Sequence, residues 1–286
     1  MTEADFSLEV SVARTSDYKV ISRLCRRAVG PSDYVLWILR EIIDDRGLFL
    51  AWAGDQLVGM TNFDKCVDGS GWLSMARTDP DWQGLGVARF LQRELAKRAK
   101  KRGIRILRLW TLSTNHAAIR ACEKGGFNRV CEAVHVSHSY RSKIREESPH
   151  LTNSVNSTKK ILESSYLSET RGYFAYKWQF VKANEVLIEK IRRKRELCSH
   201  DKLTFILTKP EKSFRRLSCS FSLLEGDPAS SMRVILSKAK SLRAAWIGGY
   251  LPYDHELLTA ALKSGFKVDR WGNHCCVFEK IIERAH

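Results

Sequence analysis

No run of this 286-residue chain approaches the ~18 consecutive apolar residues that a membrane-spanning helix needs, which reads as a soluble globular protein with no membrane partner. Its start, MTEADFSLEVSVAR, lacks the basic head and apolar centre of a secretory signal, so the expected location is cytoplasmic. Eight cysteines are present but none forms a CxxC pair; scattered thiols fit reduced cysteines better than a disulfide framework. No His/Cys cluster has zinc spacing either, so no metal site is expected. Negative charge is scarce: 32 Asp and Glu stand against 48 Lys and Arg, a formal charge of +16. Such a balance points to an anionic partner, which could be nucleic acid, a membrane surface or a phosphorylated cofactor.

What is present is enough apolar material, 44% of residues, to bury a sizeable core, in a chain longer than the usual ~100–200 residues of one domain. Apolar periodicity predicts a strand over Leu8–Arg14, a helix in SDYKVISRLCRRAV, a second helix in YVLWILREIID, and two strands, LFLAWAG and QLVGMTNFD, around the turn Gly54-Asp55. WLSMART adds a strand, Val87–Lys101 a helix stopped by Gly103, and ILRLWTL another strand. STNHAAIRACEKGGF reads as a helix and NRVCEAVHVSHSY as a strand pair or bent strand. The polar stretch 141–160 reads as a linker between domains at 1–140 and 161–286. Beyond it come the aromatic strand GYFAYKWQFV, a helix through NEVLIEKIRRKREL, strands at LTFILTK and LSCSFSLLE, helix MRVILSKAKSLR, strand AAWIGGYL, helix HELLTAALKSG and strand CCVFEKII. Both halves end as strand, polar link, helix, Gly-Phe, strand, which suggests a duplication or two related folds.

The most informative stretch is Gln83-Gly84-Leu85-Gly86-Val87-Ala88, set between a strand and a helix. At a helix start the free N–H groups and the positive end of the dipole favour an anion, and the two glycines leave room for a phosphate. A dinucleotide fold would want a third Gly where Arg89 stands, and an acidic residue ~20 positions on; a P-loop would want Gly-Lys-Ser/Thr. Neither pattern is met.

Gln83, Gly86 and Ala88 do match the Q/R-x-x-G-x-G/A loop of the GCN5-related N-acetyltransferase (GNAT) superfamily, with Pro80 before it; Asn115, Ala118, Ile119, Glu123, Lys124, Gly126 and Phe127 match a second family element further on. On these two motifs residues 8–140 resemble that superfamily. The resemblance implies an α+β fold, a mixed and mostly antiparallel sheet with helices on both faces, and acetyl-CoA as co-substrate. It would place the pyrophosphate on Gln83, Gly84, Leu85, Gly86, Val87 and Ala88, the pantetheine along Ala76, Arg77 and Thr78, and Asn115 at the cofactor. Where the family has a tyrosine acid this chain has Cys122, while the backbone N–H near Ala76 is the candidate oxyanion donor. For a general base Asp68 and Asp64 are the candidates, and for substrate contacts Tyr34 and Trp72.

The second half lacks a glycine loop before MRVILSKAKSLR and has Ala261 at the tyrosine position, so it reads as a degenerate GNAT-like copy that binds no CoA. The whole-length plan, through DYVLW and GYFAYKWQF followed by Asn184, also resembles the histidine N-acetyltransferase-like proteins, which pair an active with a degenerate half. That resemblance implies a free amino acid or other small amine as acceptor. A protein or peptide acceptor, a dead CoA-binding fold, and nucleic-acid binding through Lys190 and Arg192–Arg195 are the competing readings; interleaved apolar residues favour a solvated helix face for that basic run.

Overall fold

The computed structural model describes residues 7–140, 157–200, 202–213 and 216–283. They form strands β1 (Leu8–Val12), helices α1 (Tyr18–Ala28) and α2 (Val35–Asp44), strands β2 (Leu48–Ala53), β3 (Gln56–Lys65) and β4 (Gly71–Thr78), helix α3 (Val87–Lys101), strand β5 (Ile106–Leu112), helix α4 (His116–Lys124) and strand β6 (Asn128–Ser139). After the undescribed stretch come α5 (Thr158–Leu162), α6 (Ser165–Glu169), β7 (Tyr173–Tyr176), β8 (Gln179–Lys182), α7 (Glu185–Arg193), β9 (Leu197–His200), β10 (Leu203–Leu207), β11 (Glu211–Ser213) and β12 (Arg216–Glu225). The chain ends with α8 (Pro228–Ser241), β13 (Trp246–Pro252), α9 (His255–Lys263), β14 (Lys267–Val268) and β15 (Cys275–Ile281).

Two compact units emerge, but not by a cut at residue 140. The first gathers the described parts of Met1–Leu109, His116–Asn128 and Phe278–His286; the second gathers Trp110–Asn115 and Arg129–Val277. The reason is strand pairing: β6 is antiparallel to β13, from Ser139↔Trp246 to Ala133↔Pro252, so it leaves the domain its sequence position suggests. Conversely, Ile282 N donates to Arg105 O at 2.7 Å, tying the C-terminal residues beside β5 in the first unit. Most of the expected linker, 141–156, lies outside the described residues, and its last part opens α5 with Ser157 as N-cap.

In the first unit β1, β2, β3 and β4 pair antiparallel in that order, and β5 then joins β4 in parallel. Met60 packs with Ile21, Leu24, Leu39 and Leu50 in the core under α1 and α2. Its neighbour Gly59 faces the other way: a Cβ there would come within 2.5 Å of Val87 Cγ1 and 3.5 Å of Leu91 Cδ1. Successive strand residues point to opposite faces, so α1 and α2 cover one face and α3 the other. The glycine is what lets α3 lie that close.

In the second unit the order is β6-β13-β12-β10-β9, with β12 and β13 parallel and the rest antiparallel. Its core gathers Phe205, Phe221, Ile235, Ile247, Leu257 and Phe266. The repeat read from sequence has a shared geometry in each unit. α4 ends with Gly126 at φ 78° and Phe127 N donating back to Cys122 O; α9 ends with Gly265 at φ 92° and Phe266 N donating to Ala261 O, both at 3.0 Å. This is the glycine-terminated helix end, with the following Phe buried as its apolar clasp. One expectation differs: GYFAYKWQFV is not one strand but the hairpin β7–β8, turned at Lys177 with φ 60°. Of the two readings of the β6 segment, strand pair or bent strand, the structure has a single 12-residue strand.

Candidate active site

β4 carries the first feature of the site. Its register against β3 runs Asn62↔Ser74 and then Met60↔Arg77, so Met75 and Ala76 together face Thr61. Met75 takes φ 57°, unusual for a residue with a side chain, and Thr61 Oγ1 donates to Ser74 O at 3.1 Å beneath the irregularity. This is a β-bulge, which breaks the ladder and turns backbone groups away from the neighbouring strand. On its other side β4 pairs with β5 only at Gly71↔Leu107 and Trp72↔Arg108, although β4 continues to Thr78. The strands stop pairing before the bulge, and the backbone of Ala76, Arg77 and Thr78 is left on that side without a β5 register.

Three residues beyond the bulge the chain enters the glycine loop. Asp79 fixes its start: Arg27 Nε and Nη2 donate to its two carboxylate oxygens at 2.8 and 3.0 Å, and Asp79 Oδ1 accepts from Asp81 N at 3.1 Å. Arg27 is 45% exposed, so the pair contributes only ~0–1 kcal/mol, and its consequence is orientation. Gln83 N and Leu85 N close turns onto Pro80 O and Trp82 O, at 3.3 and 3.4 Å. Gly84 and Gly86 take φ 80° and 88°, a region reached without strain by glycine, and nothing lies within 4 Å of a Cβ built on Gly84. Gly86 is the N-cap of α3 and provides no capping side chain, so the first N–H groups of the helix, from Val87 and Ala88 onward, have no acceptor within it. Loop and helix dipole together form a cradle for an anion. The N–H groups of Gln83 and Leu85, expected at the anion, are instead engaged in the turns.

A residue pair that the sequence did not reveal anchors the bulge. Arg77 donates in a fork to Asp33, Nε to Oδ2 and Nη2 to Oδ1, both at 2.8 Å, and its Nη1 donates to Ala76 O at 2.9 Å. Asp33 is fully covered and also accepts from Val35 N at the start of α2. Burial pushes its carboxyl up, but the hydrogen bonds and charge of Arg77 outweigh this and hold it below the ordinary range. The Arg77 guanidinium lies 5.5 Å from the ring centre of Tyr34, so this expected substrate contact, 40% exposed, stands at the same end of β4.

Other expected residues lie elsewhere. Asp68 sits in the turn that precedes β4, at the level of Trp72, about 13 Å along the strand from Ala76 at ~3.3 Å per residue. Its carboxylate accepts from Arg108 Nη1 at 2.6 Å and from Ser70 Oγ at 2.6 Å, and Arg108, 1% exposed, also donates to Glu279 at 2.7 Å. Burial raises Asp68, but Ser70 and Arg108 together hold it below its usual value, so it is a structural counter-ion and not a base. Asp64 is pushed up by burial and by Asp45, yet its place on β3 opposite Trp72 puts it at the same remote end. Trp72 itself is 4% exposed, a core residue where a substrate contact was expected. Cys122 is likewise buried, and burial pushes its thiol up to about 12. A thiol so covered and raised is a weak donor toward a thiolate of ordinary pKa ~8.5, which counts against Cys122 as the acid. Asn115 donates its N–H to Leu112 O just before α4 and is grouped with the second unit.

The second unit repeats the strand–helix–strand order as β12, α8 and β13, but Asp227 caps α8, accepting from Ser230 N at 2.9 Å. A carboxylate occupies the helix start where the first unit has glycine, and it would repel a phosphate. The basic run expected as a nucleic-acid candidate ends α7, with Leu187, Ile188 and Ile191 buried beneath, Arg192 paired with Glu189 at 2.9 Å and Lys194 donating to Tyr176. It is a solvated helix end that complements the dipole. This unit also buries His135, with Nδ1 2.7 Å from Asp269 and the rings of Trp178, Tyr250 and Trp271 around it. Its partners lie far away in sequence, so periodicity could not have found it.

The bulged, splayed strand followed by a glycine-opened helix defines the class to which the comparisons lead. Residues 18–127 match the acetyltransferase (GNAT) family. A GCN5-related N-acetyltransferase from Sphaerobacter thermophilus has a TM-score of 0.59 at 12% identity, covering 99% of this chain and 98% of its own. A structure from Pyrococcus horikoshii gives 0.55 at 17%, covering 97% and 91%; at such identities the likeness is one of fold. By sequence, a mycothiol acetyltransferase from Geodermatophilus obscurus is 35% identical over 100 residues, 33% of this chain and 32% of that protein. The match thus spans about a third of the curated relative's length. The similarity to the GNAT family is thus carried by residues 18–127 of this chain. Among the described residues no helix is long and apolar enough to cross a membrane, and no group of three or more His, Cys, Asp or Glu could hold a metal ion.

Proposed function

We propose that the chain is an acetyl-CoA-dependent N-acetyltransferase that moves an acetyl group to the primary amine of a small molecule or free amino acid. The observation that carries this reading is the open anion cradle of Gly84, Gly86, Val87 and Ala88, in the loop that follows a bulged strand end whose pairing has stopped. A pyrophosphate fits a helix start with free N–H groups and no side chain in the way. The backbone of Ala76, Arg77 and Thr78 would hold the pantetheine as a neighbouring strand does. Acetyl-CoA supplies a thioester carbonyl that an amine attacks directly. A backbone N–H of the bulge at Ala76 would donate to the oxyanion, held in place by the Arg77–Asp33 fork. Among the described residues the carboxylates at this end of β4, Asp33, Asp79 and Asp81, are held by Arg77 and Arg27 and none stands ready as a base; an α-amine of pKa ~8 needs none of great strength, which favours an amino acid over a lysine side chain of ~10.4. The second unit, with Asp227 at its helix start, binds no CoA in this reading.

Titration calorimetry should give one acetyl-CoA bound per chain, with binding lost in Gly86→Glu, which puts a carboxylate and a strained φ into the cradle. A thiol-release assay across amino acids, polyamines and peptides then identifies the acceptor. Failure of the wild type to bind acetyl-CoA, or unchanged binding by the variant, overturns the reading.

A further inference from the structure

We propose that the second unit carries a binding site for an organic ammonium group, formed by the exposed rings of Trp178 and Trp271 beside the Asp269 carboxylate. The register of β6 against β13 lays its floor. Tyr250 pairs with His135 and Trp246 with Ser139, so alternation puts His135, Trp246 and Tyr250 on one face, while Val134, Val136, Ile247 and Leu251 turn to the core on the other. Two glycines let the rings close on this face. A Cβ on Gly248 would fall 2.1 Å from Trp246 Cη2, so that ring lies across the strand there. A Cβ on Gly272 would fall 2.5 Å from His135 Cβ, so the turn carrying Trp271 presses onto β6.

His135 is the hub of the cluster. The ring centres of Trp271 and of Trp178, at the turn of the β7–β8 hairpin, lie 4.3 and 5.3 Å from its own, and the two tryptophans stand 5.9 Å apart, inclined at 47°. His135 itself is 1% exposed, but Trp178 and Trp271 are 37% and 44% exposed. Adjacent aromatic rings open to solvent mark a binding surface rather than a core.

Charge decides what that surface takes. Asp269 stands two residues before Trp271, and its Oδ2 accepts from His135 Nδ1 at 2.7 Å. Its side chain is 26% exposed, and Oδ1 has no partner among the described residues. Burial holds the imidazole below its ordinary pKa, although Asp269 pulls it up, so His135 is neutral at pH 7 and its Nδ1 proton points to the carboxylate. A neutral donor orients the carboxylate without cancelling its charge. No Lys or Arg cancels it either: the chain has a formal charge of +16, yet Asp269 pairs with neither among the described residues. A carboxylate beside the electron-rich faces of two tryptophans attracts a cation and repels an anion. A protonated amine satisfies both features, its N–H groups donating to Oδ1 while its charge and alkyl stem lie on the rings. The ammonium belongs either to a free small amine or to a lysine side chain of a peptide. This assignment does not rest on the acetyltransferase reading.

The test is titration of the full chain, read by tryptophan fluorescence and by calorimetry, with charged and neutral probes of one shape: butylammonium against butanol, and the end-blocked peptide Ala-Lys-Ala against its norleucine counterpart. The charged member of at least one pair should bind roughly tenfold tighter or more, as expected for a cation held by two rings and a carboxylate. The pair that shows the preference tells free amine from peptide. Trp178→Ala and Trp271→Ala, both at exposed rings, should each weaken binding several-fold, and Trp271→Phe should retain most of it. Asp269→Asn, which can still accept from His135, should remove the preference for the charged probe, with far-UV circular dichroism as the check on folding. Equal affinities within both pairs, no binding of either charged probe, or a preference that survives Asp269→Asn overturns the assignment. So does binding of adenosine in place of the amines, which would make the rings a stacking platform for a planar ligand.

Discussion

Replacing Asp33 by Asn removes one charge from the fork that holds Arg77 against the bulge. Asp33 is fully covered, Arg77 is 13% exposed, and two bonds of 2.8 Å join them. Breaking a buried pair by removing one partner leaves the other charge uncompensated and typically costs ~3–5 kcal/mol. Arg77 keeps an edge toward solvent, its Nη1 still donates to Ala76 O, and Asn retains an acceptor for Val35 N, so the low end, about 3 kcal/mol, is expected. Urea unfolding followed by far-UV circular dichroism measures it directly as a lower midpoint at unchanged slope. The effect should also depend on pH. Because Arg77 holds the folded carboxyl below its ordinary value, the pair's stabilisation is complete above the unfolded pKa of ~3.9 and is lost as pH falls through the folded value. Wild type and Asp33→Asn should therefore differ fully at neutral pH and converge in strong acid. A difference below about 1 kcal/mol at pH 7 would mean the pair is an ordinary surface contact, and a difference that persisted at the acid end would refute the charge argument.

Two further outcomes follow from positions already described. Cys122→Ala should leave kcat within about twofold, since a thiol raised to about 12 donates no useful proton; the refuting result in the thiol-release assay is a loss on the 10²–10⁴ scale of a lost general acid. Gly59→Val should lower thermal stability by ~1–3 kcal/mol, as overpacking does, because its Cβ would fall 2.5 Å from Val87 Cγ1 at the start of α3. Calorimetric scanning with and without acetyl-CoA then tells whether α3 has been pushed off its cradle position.

The glycine loop was legible because its function needs a backbone conformation that few residues take. Gly84 and Gly86 both lie at positive φ, and this constraint is written into residue type. The Gly-Phe ends of α4 and α9 were legible for the same reason. The bulge was not, because Met75 is no glycine: its φ of 57° is imposed by register against β3, and no side chain announces it. Nor was the Arg77–Asp33 fork, whose partners lie 44 positions apart and meet only when the α1–α2 connection folds over the end of β4. Asp68 misled as a carboxylate in the right neighbourhood of the chain; the sequence could not reveal that Arg108 and Ser70 would enclose it at the wrong end of β4. The domain cut at 140 failed because polarity marks where a chain is solvated, whereas compact units follow strand pairing, which put β6 beside β13.

The two strand–helix–strand motifs explain why one of them is suited to a phosphate and the other is not. Each helix start presents N–H groups that need acceptors. At α8, Asp227 supplies one internally: its carboxylate accepts from Ser230 N at 2.9 Å, and these bonds hold it ionised below its usual range. That cap stabilises its helix and adds a negative charge where a phosphate would have to come. At α3, Gly86 contributes no cap, so the helix start remains complementary to an anion from outside. A glycine at an N-cap gives up only a few tenths of a kcal/mol relative to the best capping residues. With so small a difference in stability, a single residue at the helix start can separate a ligand site from a structural helix within the same local architecture.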